Sequence, residues 1–154
     1  HMPATYYTYT AGPVQFFALE TDVLSDAELM WLDRELAKSK ARWKVAYAHH
    51  PIYSAGQHGN NEDLIERLLP VIRGRLDVYL AGHDHDMQHL KPVGNLHFFV
   101  AGTGGKLREV EKGPQSLFAM SSPGFAVLEA SESRFTVRFV DPALRTLYEY
   151  TLTK

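Results

Sequence analysis

Two short stretches of the chain hold most of its histidines. "AYAHHPIYSAGQHG" (46–59) and "LAGHDHDMQHL" (80–90) together carry six of the eight imidazoles. Neutral imidazole is a common ligand for borderline divalent metals, and its unperturbed pKa lets it hold or give a proton near neutral pH. His83 and His85 are two residues apart, a spacing that on an extended segment turns both rings to one side. Gly82 ahead of them permits a sharp exit from a strand and close approach of backbone to an ion. His49 and His50 close a second apolar run, and the C-terminal ends of parallel strands are where ligands gather in open α/β sheets. The chain has no cysteine, so any metal must be held by His, Asp or Glu. A lone histidine at a strand end is usually just a partly exposed polar residue. The case here rests on an H-x-H pair behind glycine, with a second histidine cluster at an equivalent strand end.

The elements that must position these rings are legible in outline. "TYYTYTAGPVQFFALET" is rich in β-branched and aromatic residues and predicts two strands about a Gly12-Pro13 turn. "SDAELMWLDRELAKSK" predicts a helix with Ser25 as N-cap, Glu28 completing a capping box, and Leu29, Leu32 and Leu36 on one face. "WKVAYA" is a short strand delivering His49 and His50. "NNEDLIERLLPVIRGR" predicts a second helix that Pro70 kinks or restarts. "LDVYLAG" is a buried strand ending at His83; "LHFFVAG", "GFAVLEA", "RFTVRFV" and "LRTLYEYTL" follow as strands. That order predicts an α/β (α+β) domain, a mixed sheet with flanking helices.

The 154 residues, 45% hydrophobic and 22% charged, suit one globular domain with a real core. A net charge of −2 offers no basic footprint for nucleic acid or anionic lipid, and no apolar run reaches membrane-spanning length. We therefore expect neither nucleic acid nor membrane among the partners. His1-Met2 reads as a cloning scar ahead of a domain covering 3–154.

The "AHHP" and "AGHDH" blocks resemble the last two metal-binding blocks of the calcineurin-like metallophosphoesterases, most of all the purple acid phosphatase branch. There the blocks run roughly G-H-x-P and G-H-x-H. The resemblance extends from Tyr6 to Arg108 through "AGPVQFFALET", "LMWLDRELAKSKARWKVAYAHHPIYSAGQHG" and "GNLHFFVAGTGGKLR". One departure is Ala48, where the family usually has glycine. The resemblance implies His49 and His83 on one metal and His85 on the other, with His58 beside the substrate and His50 lining the site. On an extended segment Asp84 points away from its two histidine neighbours, so it is expected in the outer shell or at the surface. Asp86 is expected to fix a loop, and His89 and His97, which match no block, to be structural.

The family's other blocks, D-x-H, G-D-x-x-D and G-N-H-[DE], supply the bridging and further ligands. None stands upstream of His49. "GNNE" at 59–62 and "GNLH" at 94–97 come too late and lack a histidine directly after asparagine. The chain is therefore expected to be the C-terminal half of a metallophosphoesterase αββα sandwich. The parent would hydrolyse phosphate monoesters with two di- or trivalent ions (Fe, Zn or Mn). This chain alone would be inactive, with at most one divalent ion weakly held by His49, His83 and His85. An apolar sheet face left bare without the N-terminal half would favour homo-oligomers or segment swapping. The compartment stays open, with a secreted or periplasmic parent among the options.

Two rivals remain. A cupin-like mononuclear metal enzyme also uses H-x-H, but it wants a Glu about four residues on, where "DMQH" stands. A non-enzymatic histidine-rich metal-binding module needs none of the missing carboxylates. "AGTGGKLRE" lacks P-loop spacing and is better read as a structural turn.

Overall fold

The computed structural model describes residues 4–154, so the expected scar at His1-Met2 lies outside the described residues. Strands β1 (Tyr7–Ala11) and β2 (Val14–Ala18) form the hairpin about Gly12-Pro13. Helix α1 (Asp26–Lys38) then crosses to β3 (Trp43–Ala48), which lies parallel to β2. A second helical crossover leads to β4 (Val78–Ala81), parallel to β3. Strand β6 (Leu96–Ala101) continues the parallel set beside β4, while β5 (Met87–Val93) and β7 (Ser116–Met120) run antiparallel at one side. The seven-stranded order is β1-β2-β3-β4-β6-β5-β7. Strands β8 (Phe125–Ala130), β9 (Arg134–Val140) and β10 (Thr146–Thr153) form a separate antiparallel sheet with β9 in the middle. The mixed α/β class expected from the sequence is thus the observed one. No helix among the described residues is long and apolar enough to cross a membrane.

Local chemistry explains where the elements depart from expectation. Ser25 Oγ accepts from the Glu28 N–H at 3.2 Å, as an N-cap should. Glu28 does not complete the box, because its carboxylate turns inward and accepts from the Glu20 N–H at 2.8 Å. There it is buried, and burial lifts its pKa to about 7. The second helix divides at Pro70, which has no N–H to donate one turn back. A π-helical segment (Leu64–Leu68) widens the backbone, with the Leu69 N–H bonded to Leu64 O, before the short α2 (Leu69–Ile72) resumes. Strands β5 and β7 are not among the strands expected from the sequence, β5 for a physical reason. Met87, Gln88, His89 and Leu90 are all buried, so no polar–apolar alternation announces a strand.

Alternation elsewhere splits the main sheet into two apolar faces. Phe17, Ala46, Tyr79 and Phe98 meet Leu32 and Leu36 of α1 and Leu64, Leu68 and Ile72 of the second crossover. On the other face Val14, Trp43, Val45, Val78, Met87 and Phe99 pack on Phe135, Val137 and Phe139 of β9. The bare face expected from the sequence is therefore not bare, because the chain's own last three strands cover it. The result is three layers: helices, main sheet and small sheet. Between the two sheets, His89 is fully buried; its Nε2 lies 3.1 Å from His97 Nδ1 and its Nδ1 lies 2.8 Å from Tyr148 Oη.

Candidate metal centre

Parallel pairing of β3 with β4 brings Ala48 opposite Ala81, so the residues after each strand emerge side by side. The Gly82 N–H donates to His49 O at 3.1 Å and extends the pairing by one step. The chain then turns sharply: the Asp84 N–H bonds Gly82 O at 2.8 Å, closing a three-residue γ-turn centred on His83. His83 has φ of 64°, a left-handed conformation that costs a non-glycine residue about 1–2 kcal/mol and that clusters at functional sites. Sequence spacing alone gives the turn to Gly82. The structure gives it to His83, and a side chain at Gly82 would meet only His49 O at 3.8 Å, an ordinary contact.

That turn decides which rings meet. His83 Nδ1 lies 3.0 Å from His49 Nε2. The nitrogens of His49, His50 and His83 fall within 4.8 Å of one another, with ring centroids 4.4–4.9 Å apart. The same-side argument for His83 and His85 requires an extended segment, and 82–86 is a bend between strands. His85 accordingly stands outside the group. Its Nδ1 is buried and has no hydrogen-bond partner.

His50 is fixed from two sides. Thr21 Oγ1 accepts its backbone N–H at 3.0 Å and lies 3.2 Å from its Nδ1, and Tyr79 Oη donates to its carbonyl at 2.8 Å. Nothing in the sequence singles out Thr21, which precedes α1 and reaches the site only through the β2–β3 pairing. His58 packs against His83 with centroids 4.1 Å apart and the rings tilted by 40°. Its Nδ1 donates to Asp84 Oδ1 at 2.7 Å and its backbone N–H to the same oxygen at 3.2 Å. Asp84 is fully buried and its second oxygen accepts from Ser54 Oγ. It is thus an outer partner of the site rather than a surface residue. Burial pushes Asp84 up, but the bonds from Ser54 and His58 outweigh it and hold the carboxyl below its ordinary pKa. Such a carboxylate fixes the Nδ1–H form of His58 and leaves Nε2 with the free lone pair.

Asp86 is also fully buried. Gln88 Nε2 donates to one oxygen at 2.7 Å while the other has no partner; burial, with Asp84 adding to it, raises Asp86 to about 6. The Gly-rich loop after β6 is a close-packed turn. A Cβ at Gly102 would lie 1.9 Å from Asp84 O, so only glycine lets this loop seat against the histidine segment.

The rings border an open pocket of about 280 Å³, lined by His50, His58, His83, Asn60, Asn61 and Glu62. Burial, and then repulsion from His50, His58 and His49, lowers the pKa of His83, which favours the neutral ring that a metal binds. The donor set suits a borderline divalent ion. Two nitrogens about 2.0–2.1 Å from one zinc at the tetrahedral angle sit about 3.3 Å apart, close to the 3.0 Å between His83 and His49. The unpartnered nitrogen of His85 is what a further ligand would present. Among the described residues, the clustered group contains no carboxylate.

Fold and site together define an α/β protein whose neighbouring parallel strands end in a ring of imidazoles around an open pocket. Residues 4–87 match the model of the calcineurin-like phosphoesterase family. That is more than half of the chain, and the chain belongs to this family. It is 32% identical over 128 residues to purple acid phosphatase 7 of Arabidopsis thaliana, covering 80% of this chain and 39% of that protein. It is 26% identical over 142 residues to tartrate-resistant acid phosphatase type 5 of Sus scrofa, covering 85% and 42%. Among solved structures, the Plasmodium protein described as GAP50, the anchor in the inner membrane complex, matches with a TM-score of 0.84 at 26% identity, over 99% of this chain and 55% of that one. Purple acid phosphatase PPD1 of yellow lupin (Lupinus luteus) shares the fold, with a TM-score of 0.79 at 18% identity over 96% and 32%. The chain spans about two-fifths of the length of the curated relatives it matches.

Proposed function

We propose that this chain supplies the histidine side of a metal-dependent phosphoesterase that hydrolyses phosphate monoesters, with acidic ligands coming from polypeptide outside it. The observation that carries the reading is the approach of His83 Nδ1 to His49 Nε2 beside a carboxylate-bound His58, with His83 and His58 lining one pocket. His49 and His83 would hold one ion and His85 the other, drawn from Fe, Zn or Mn. Such ions supply Lewis-acid neutralisation of the phosphoryl oxygens and a more acidic water. His58, with Nδ1 held by Asp84, would use Nε2 to orient the ester or, once that nitrogen has taken up a proton, to hand it to the leaving oxygen. His50 lines the same pocket and shapes its rim.

By itself the chain would bind a single ion and turn over little substrate, because no carboxylate of the clustered group offsets a second positive charge. The test is p-nitrophenyl phosphate hydrolysis with added Zn²⁺, Mn²⁺ or Fe²⁺, on this chain and on its whole parent protein. We expect near-background rates for the chain and metal-dependent turnover for the parent. Turnover by the chain matching the parent's would remove the need for further ligands, and an inert parent would end the reading.

A second reading is favoured by one finding. The Plasmodium protein of the same fold is described as an anchor, so this architecture also serves binding roles. In that reading the histidines bind metal without hydrolysis, and an inert, metal-binding parent is its signature. In either case the partner would engage open strand edges rather than a bare sheet face. Among the described residues β8 and β10 each pair only with β9, and such edges accept a further strand. The remainder of the parent domain or a second copy of the chain would supply it. Light scattering after size exclusion should show self-association of the isolated chain, and a monomer at all concentrations would remove the second copy.

A further inference from the structure

The geometry points to a mononuclear site for a borderline divalent cation, Zn²⁺ or a close analogue, whose third protein ligand is His50 rather than His85. Three observations carry it. First, the three mutually close nitrogens belong to His49, His50 and His83, and His85 is not among them. Second, His50 is braced as metal-bound histidines are: its Nδ1 lies 3.2 Å from Thr21 Oγ1 and 3.8 Å from Asp22 Oδ1. That leaves Nε2 as the nitrogen for an ion, and outer partners of this kind fix ring orientation and raise ligand basicity. Third, His50 and His83 both line the open pocket, so a fourth position could be taken by water or an anionic ligand. Three imidazoles with an open fourth position is a donor set that zinc accepts, and it needs no carboxylate. The site therefore requires nothing from outside the chain.

This site is independent of the phosphoester reading. A chain that binds one ion this way and hydrolyses nothing would leave it standing, and an active parent would not establish it.

The test is calorimetric titration of the chain with ZnCl₂, with Co²⁺ as a spectroscopic stand-in. We expect one Zn²⁺ per chain and a Co²⁺ spectrum of low coordination number. His50→Ala should weaken Zn²⁺ at least about tenfold, as His49→Ala and His83→Ala do, and Thr21→Val should weaken it by about tenfold. His85→Ala should leave the affinity within about threefold, well short of the loss expected for a ligand or its brace. Binding that survives His50→Ala, or that is lost in His85→Ala, overturns the assignment, as does the absence of binding at micromolar metal. Because a variant could fail to fold, imidazole ¹⁵N spectra of the unaltered chain with and without Zn²⁺ give an independent reading. Coordination shifts at rings 49, 50 and 83 support the site, and a shift at ring 85 in place of ring 50 refutes it.

Discussion

The molecule contains two places where imidazole nitrogens nearly touch, and they do opposite work. At the strand ends, His83 Nδ1 and His49 Nε2 are 3.0 Å apart beside an open pocket. Between the sheets, His89 Nε2 and His97 Nδ1 are 3.1 Å apart, with Tyr148 capping His89, Phe99 stacked on it at 4.1 Å and Tyr150 against both rings. Burial is the leading cause of a lowered pKa in both, and it takes His89 to about 3. Proximity and a depressed pKa therefore do not distinguish a ligand site from a structural pair. What does is where the remaining nitrogen can go. Both nitrogens of His89 are spent on protein partners, whereas at the strand ends outer partners hold Nδ1 of His50 and of His58 and leave Nε2 uncommitted.

Substitutions should separate the two regions, beginning with packing. Phe99→Ala removes a fully buried ring lying on His89 and near Phe139, and should cost about 3–5 kcal/mol in denaturant unfolding. His49→Ala, at an exposed position, should cost under about 0.5 kcal/mol. Equal costs would erase the distinction.

The second effect depends on pH. The folded pKa of His89 lies below its unfolded value of 6.5, so the unfolded chain takes up the proton first. Stability linked to this group is fully present above about pH 6.5 and is lost as pH falls toward about 3. Glu28 and Asp86, raised by burial, act in the opposite sense, so the comparison must be made against His89→Leu. Between pH 7.5 and pH 5 the unaltered chain should lose about 1–2 kcal/mol more than the variant. Parallel pH profiles would mean that His89 charges freely in the folded state.

A loss of comparable size is expected from Asp84→Asn, which weakens the carboxylate bonds to His58 and Ser54 and should cost about 1–3 kcal/mol. It should also redistribute the His58 tautomers, visible in imidazole ¹⁵N shifts, and an unchanged tautomer would remove Asp84 as the group that orients His58. The smallest effect has the reverse sign. His83→Gly relieves the positive φ and should stabilise the apo chain by up to about 1 kcal/mol while weakening Zn²⁺ binding. Destabilisation instead would show that the γ-turn carries little strain.

Much of the scaffold was legible because it obeys local rules. The Gly12-Pro13 hairpin, the Ser25 cap and the apolar runs ending in His49 and His83 all announce themselves in the residues. Strand β5 does not, since its polar residues are buried and satisfied across the fold: Gln88 by Ser54 and Asp86, His89 by His97 and Tyr148. Glu28 looks like half of a capping box in sequence, yet folding turns it toward the Glu20 backbone, at the start of the strand-to-helix loop. Asp84 illustrates the same limit. The i, i+1 spacing says it points away from its histidine neighbours but not that His58, twenty-six residues earlier, would come to meet it.

By itself the sequence determined the chemistry on offer: imidazoles without thiolates, delivered at the ends of two apolar strands and followed by glycine-rich turns. Composition and strand pattern are enough for that, because they depend only on which residues are present and what lies next to them. Only the tertiary structure decided which rings share a focus. Pairing of β3 with β4 set His49 beside His83, the γ-turn took His85 out of their group, and Thr21, contributed by a distant loop, anchored His50 in its place. A single backbone dihedral at His83 can redirect a side chain by more than the spacing of two ligands, and no periodicity in the residues encodes that angle.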